Sequence, residues 1–145
     1  MTSTQTLLKA IRAFMRDDIA PELSGINAYK QRIALNVLAT IERDIRGQPA
    51  LQQLDTQYAK QMGCAANDSP SRAIARAIRD DNLFASGQPT EAEQMDLLRY
   101  LRTRAMLSLA IDNPRYSGLR QARERWKALG ERVDEMLMPS DSPNE

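Results

Sequence analysis

The feature that most constrains this chain is the return of apolar residues every three or four positions over long stretches. That period places them on one face of an α-helix, whereas a half-buried strand would alternate apolar and polar residues. The clearest example is Ile33, Val37, Ile41 and Ile45, four residues apart. No stretch shows the strand pattern or a glycine-rich phosphate loop. We therefore expect an all-α protein whose helices bury apolar stripes against one another.

Proline, glycine and capping residues divide these stripes into a bundle of five to six helices with a long C-terminal helix. Pro21 ends the first helix, and Gly47 with Pro49 separates the second from the third. Thr90 and Glu93 fit a capping box, which satisfies two backbone N–H groups at a helix start. The expected helices cover about 5–18, 26–46, 49–62, 70–81, 91–111 and 114–138.

The length of 145 residues suits one domain that needs neither a metal nor a disulfide to fold. We predict a single helical bundle over residues 1–138. The last residues, 139–145, are polar and contain proline, so they are predicted to be a disordered tail.

The composition excludes several kinds of chemistry. The chain has no histidine and one cysteine, which removes imidazole acid–base catalysis, Cys–His nucleophiles and zinc sites. Cys64 has no base beside it in the sequence, and we expect it to be idle. We predict no catalytic residue, no metal and no cofactor. No apolar run is long enough for a signal peptide or a membrane span, so we predict a cytoplasmic protein.

The break at residues 112–116, Asp-Asn-Pro-Arg-Tyr, is predicted to be a structural joint. Pro114 cannot continue a hydrogen-bonded helix and disfavours helical geometry at Asn113. We expect Asn113 to cap the next helix with Pro114 at its first position.

The last helix carries a heptad-like apolar seam, which either packs internally or pairs two chains. We favour a homodimer, which makes the protein a non-catalytic accessory or protein-interaction molecule. The predicted interface residues are Leu119, Ala122, Trp126, Leu129, Val133 and Met136.

The alternative function is a binding module or minor enzyme for a phosphorylated or acyl-CoA ligand. Arginine guanidinium groups suit phosphate and carboxylate, although Arg115 and Tyr116 could equally pin a helix corner. Lys30 lies in the middle of an apolar arc, where it either lines a pocket or extends its ammonium group to water. The candidate ligand-binding residues are Lys30, Arg32, Asn36, Arg43, Arg115 and Tyr116.

Nucleic-acid binding is not expected. Residues 97–132 contain nine basic and three acidic residues, but the net charge of the whole chain is only +1. Dedicated nucleic-acid binders usually have a stronger basic excess and interleaved aromatic residues.

Three stretches of the sequence resemble an uncharacterised bacterial family of small helical proteins, a domain of unknown function. They are LLKAIRAFMRDDIAPELSG at 7–25, AYKQRIALNVLATIERDI at 28–45 and LRYLRTRAMLSLAIDNPRY at 98–116. This chain has Lys30 and Gln31 where the family tends to have a histidine, and its last helix from Gly118 looks like an extension. The resemblance implies that the gene lies beside genes for acyl-CoA dehydrogenases and aminoglycoside-phosphotransferase-like kinases. These enzymes would then be partners.

Overall fold

The computed structural model describes residues 3–64, 69–84 and 87–138, and within these ranges it contains helices and no strand. The all-α prediction is therefore confirmed. The helices are α1 (Thr4–Phe14), α2 (Gly25–Gln61), α3 (Pro70–Arg79), α4 (Glu91–Asp112), α5 (Ser117–Arg125) and α6 (Lys127–Leu137). The chain forms two compact units, residues 1–46 and 47–145, and α2 contributes to both. The predicted tail at 139–145 lies outside the described residues.

Helix α2 is continuous, and the prediction of separate helices over 26–46 and 49–62 is wrong. A proline inside a helix costs about 3 kcal/mol. The turns that follow Pro49 offset this cost, since they bury Leu51, Leu54 and Tyr58. Gly47 does not stop the helix either. A Cβ atom there would overlap the side chain of Ile111, so the absent side chain lets α4 approach closely.

The long last helix is in fact two helices, α5 and α6, and this prediction is also wrong. Trp126 leaves helical geometry, with φ −122° and ψ 62°. Gly130 lies against Arg123, whose Cα would be 3.4 Å from an added Cβ, so glycine permits the close approach of α6 to α5. The indole of Trp126 lies under the guanidinium groups of Arg102 and Arg125, at 4.5 and 5.6 Å.

The corner between α4 and α5 is a joint, but its caps differ from those predicted. Asn113 ends α4, and its backbone N–H donates to the carbonyl of Leu109 at 2.8 Å. A turn follows, in which the N–H of Tyr116 donates to the carbonyl of Asn113 at 3.0 Å. Helix α5 therefore begins at Ser117, after Tyr116, and Pro114 lies before the helix instead of at its first position.

The second unit has a closed apolar core. It is formed by the C-terminal half of α2 together with α3, α4, α5 and α6. Leu107 and Val133 are 0% exposed, and the side chain of Ile74 is 2% exposed. The buried residues of this core are Ala50, Leu51, Leu54, Tyr58, Ala59, Ile74, Tyr100, Met106, Leu107, Ala110, Ile111, Leu119 and Val133.

The first unit is organised differently. Helix α1 continues into a π-helical turn (Met15–Ile19) and a 3-10 turn (Ala20–Glu22), after which α2 begins. Two polar contacts connect α2 to the N-terminal part of this unit. The guanidinium of Arg12 forms an ion pair with the carboxylate of Glu42. The side-chain amide of Gln31 donates a hydrogen bond to the backbone carbonyl of Met15. Gln31 and Glu42 are the buried residues among positions 3–46, where no apolar side chain is buried.

Candidate interaction surface

Eight large apolar side chains of the first unit are exposed to solvent. We call them the exposed face. Their exposed fractions range from 41% to 64%. The apolar stripes of the first two helices were expected to be buried, and for these residues that expectation is wrong. The exposed face consists of Leu7, Ile11, Phe14, Ile26, Tyr29, Ile33, Val37 and Ile41.

The exposed face follows helical periodicity on both helices. On α1 its members are four and then three residues apart, and on α2 they recur every three or four residues. Successive residues of an α-helix are rotated by about 100° around its axis. The α2 stripe is therefore rotated by about 150° from the side that carries Gln31 and Glu42. The α1 stripe lies about 130° from the side that carries Arg12. On each helix the stripe therefore faces away from the side whose residues make the polar contacts.

The four predicted ligand residues of the first unit lie on or beside the exposed face. Lys30 lies on the α2 stripe and is exposed, as are Arg32 and Asn36. The Arg32 guanidinium lies 6.0 Å from the ring centre of Tyr29. Arg43 donates to the Thr40 hydroxyl at 3.0 Å, and that hydroxyl donates to the Asn36 carbonyl at 3.0 Å. The structure therefore arranges these residues as a cationic and polar border along an apolar surface.

The other two predicted ligand residues, Arg115 and Tyr116, belong to the second unit. They line a cleft of about 350 Å³ together with Ser117, Arg120 and Arg123. Arg123 is paired with Asp134 at 2.6 Å. The half-exposed ring of Tyr116 covers Gly118, where an added Cβ would lie 2.5 Å from Cε1 of the ring. This packing fits the interpretation that Tyr116 stabilises the corner between α4 and α5. Arg115 and Arg120 remain as the candidate binding residues of the cleft.

The seam predicted as a dimer interface packs internally, which is one of the two arrangements its pattern allows. Leu119 and Val133 are buried in the core of the second unit. Ala122, Trp126, Leu129 and Met136 are partly buried against the same core.

The sequence analysis missed a buried polar cluster in the second unit. Asp55 is 6% exposed and accepts hydrogen bonds from the Tyr100 hydroxyl at 2.7 Å and from Nε of Arg104 at 2.9 Å. The Tyr58 ring stacks on the Tyr100 ring, with centres 4.2 Å apart. The one available signal was the position of Asp55, an acidic residue on the face that carries Leu51, Leu54 and Tyr58.

Burial changes the pKa values of the two tyrosines in this cluster. Desolvation raises the pKa of both tyrosines, and the bond to Asp55 raises the pKa of Tyr100 further. The pKa of Arg104 is also raised, since its bonds to Asp55 outweigh its partial desolvation. Both phenols therefore keep their protons at neutral pH. The cluster holds α4 to α2.

The described residues also bear on metal binding and membrane insertion. In the part of the chain that the structure describes, no three His, Cys, Asp or Glu side chains are grouped closely enough to hold a metal ion. None of the described helices combines the length and apolar content that crossing a bilayer requires.

The model of the family described as Domain of unknown function (DUF6285) matches residues 21–116. The match covers the stretches at 28–45 and 98–116 in full and ends two residues before Gly118, where an extension was predicted. No curated protein and no solved structure matches the chain.

Proposed function

We propose that this chain, which belongs to that family of unknown function, is a non-catalytic accessory protein that acts by binding a protein partner. The observation that supports the proposal is the exposed face. A monomeric soluble protein rarely exposes a continuous apolar patch of more than a few hundred Å². The five members on α2 are 41% to 64% exposed and recur on one face of a single helix, so they form such a patch.

The composition and border of the exposed face fit a protein interface. Such interfaces have an apolar, aromatic centre and a polar rim. Phe14 and Tyr29 supply the aromatic rings of the centre, and Arg32, Asn36 and Arg43 supply the rim.

Photo-crosslinking in the producing cells tests this proposal. A photoreactive amino acid at Val37 would lie within the α2 stripe, and the same group at Lys9 would be exposed on a different side of α1. We expect a discrete adduct from position 37 and none from position 9. The mass of the adduct identifies the partner, and acyl-CoA dehydrogenases and phosphotransferase-like kinases are proposed as candidates. No adduct from either position would contradict the proposal.

A second candidate function is the binding of a phosphorylated or acyl-CoA compound at the α4–α5 corner. It is favoured by one observation, which is that Arg115 and Arg120 line the same cleft of about 350 Å³. Guanidinium groups bind phosphate through paired hydrogen bonds. Calorimetry with a CoA thioester tests this function. Heat that is lost in Arg115→Ala and kept in Arg72→Ala, an exposed arginine on α3, would support it. The absence of heat with the wild-type protein would exclude it.

A further inference from the structure

A groove in the second unit lies between α4 and the beginning of α6, and its volume is about 290 Å³. One wall of the groove is apolar and consists of Met95, Trp126, Ala128 and Leu129. Met95 is 48% exposed, and Trp126 and Leu129 are half-buried. The groove therefore presents apolar surface to a molecule that enters from solvent.

Three cationic side chains line the same groove, and they are Arg99, Arg102 and Lys127. They belong to the basic excess of residues 97–132. Arg99 is paired with Asp96 at 3.0 Å. Within the described part of the chain, neither Arg102 nor Lys127 has a carboxylate partner. The groove therefore carries two uncompensated positive charges beside its apolar wall.

The guanidinium of Arg102 is held in position by Trp126. It lies 4.5 Å from the centre of the indole ring. A cation–π contact satisfies no N–H donor, and the guanidinium of Arg102 makes no hydrogen bond to a described residue. A positioned group loses less conformational entropy when it binds a ligand. Arg102 is therefore ready to donate to an anion.

These features define the class of molecule that fits the groove. The apolar wall favours a hydrocarbon body, and guanidinium and ammonium groups form strong, charge-assisted hydrogen bonds to a carboxylate. A cavity of about 150 Å³ holds one benzene molecule, so this groove suits roughly ten to twelve non-hydrogen atoms. That size favours a small molecule over a peptide or a nucleic acid.

We infer that the groove between α4 and α6 binds a small organic carboxylate. Its hydrocarbon body contacts Met95, Trp126 and Leu129, and its carboxylate pairs with Arg102 and Lys127. This site goes beyond the proposed accessory function. It lies in the second unit and shares no residue with the exposed face or with the cleft at Arg115.

Tryptophan fluorescence tests the site, because Trp126 is the one tryptophan of the chain. The probe is cyclohexylbutyrate, a carboxylate of suitable size that does not absorb where tryptophan does. Cyclohexylbutanol is the matched probe without the charge. We expect a saturable change in fluorescence with the carboxylate, and binding of the alcohol that is about tenfold weaker. Calorimetry should give one bound carboxylate for each chain.

Four variants separate the charges from the apolar wall. Arg102→Gln and Lys127→Gln should each weaken the carboxylate about tenfold and leave the alcohol unchanged, because each removes a charge-assisted hydrogen bond. Met95→Ala should weaken both probes to the same extent, because it removes part of the wall. Arg115→Gln, at the other cleft, is the control and should bind both probes as the wild type does. Circular dichroism shows that each variant is folded.

Three results would overturn the inference. One is the absence of a saturable change when the carboxylate is added to the wild-type protein. Another is equal affinity of the wild-type protein for the carboxylate and the alcohol. The third is wild-type affinity for the carboxylate in both Arg102→Gln and Lys127→Gln. None of these results concerns the exposed face, so the proposed accessory function would stand after any of them.

Discussion

The two units of this chain use the same kind of apolar stripe in different ways. The second unit buries much of its apolar surface in one core, in which Leu107 and Val133 have no exposed surface, although Ile78, Met95, Leu98 and Leu101 are exposed. In the first unit, residues 3–46, the buried side chains are polar, eight large apolar residues are exposed and the others are half-buried. Apolar periodicity thus identifies the face of a helix that avoids water, but it does not say which molecule covers that face.

The difference also assigns a separate task to each unit. Apolar burial is the main source of folding free energy. The second unit therefore supplies most of the stability of the isolated chain. In the accessory function that we propose, the first unit keeps its apolar area available for association.

The largest expected effect is on the buried core. Leu107→Ala should lower the free energy of unfolding by about 2–5 kcal/mol, because it leaves a cavity in a fully buried site. The matched control is Leu7→Ala on the exposed face, which should change it by less than about 0.5 kcal/mol. Urea denaturation in dilute protein measures both. Equal losses in the two variants would remove the distinction between the units.

The next effect concerns the buried polar cluster. Tyr100→Phe should lower the free energy of unfolding by about 1–3 kcal/mol, because buried Asp55 loses the hydroxyl that donates to it at 2.7 Å. Tyr116→Phe, on the half-exposed ring at the corner, serves as the control and should be nearly neutral. If Tyr100→Phe were as stable as the control, the cluster would not hold α4 to α2.

Alkaline pH should affect the second unit through the same cluster. The pKa values of Tyr58 and Tyr100 are raised mainly by burial, so the folded protein holds these protons more tightly than the unfolded chain. Their contribution to stability is complete below the unfolded pKa of about 10 and is lost as the pH rises through the folded values. The unfolding free energy should fall as the pH increases beyond that value. The decline should be less steep in Tyr58→Phe, and an identical pH dependence would contradict this account.

The smallest expected effect concerns the N-terminal caps of two helices, one in each unit. The Thr90 hydroxyl accepts from the N–H of Glu93 at 3.2 Å, and the Ser3 hydroxyl accepts from the N–H of Thr6 at 3.2 Å. Thr90→Ala should lower the free energy of global unfolding by about 1 kcal/mol. Ser3→Ala should chiefly fray α1, which buries no apolar side chain. Urea denaturation and circular dichroism separate the two effects, and equal global losses would show that α1 is part of the same cooperative core.

Local signals in the sequence predicted local structure well. The capping box of Thr90 and Glu93 is present in full. The signal at Pro49 was misinterpreted, and the break at Trp126 was not predicted, because both outcomes depend on tertiary contacts. Continuing α2 past Pro49 buries Leu51 and Leu54, which no local rule includes.

Tertiary contacts explain the rest of what was missed. Asp55 lies 45 positions from Tyr100 and 49 from Arg104, so no spacing in the sequence connects them. Lys30 was correctly placed within an apolar arc, but the arc is exposed, so the residue borders a surface and lines no core. For Arg115, the sequence indicated a helix corner, and the structure adds a cleft that contains Arg120.

Amide hydrogen exchange tests the central claim most directly. The account predicts that amides around Leu107 and Val133 exchange slowly, because these side chains are fully buried. It predicts that amides between Ile26 and Ile41 exchange faster in the isolated chain, because no apolar side chain of residues 3–46 is buried. Protection of residues 26–41 equal to that around Leu107 would contradict it.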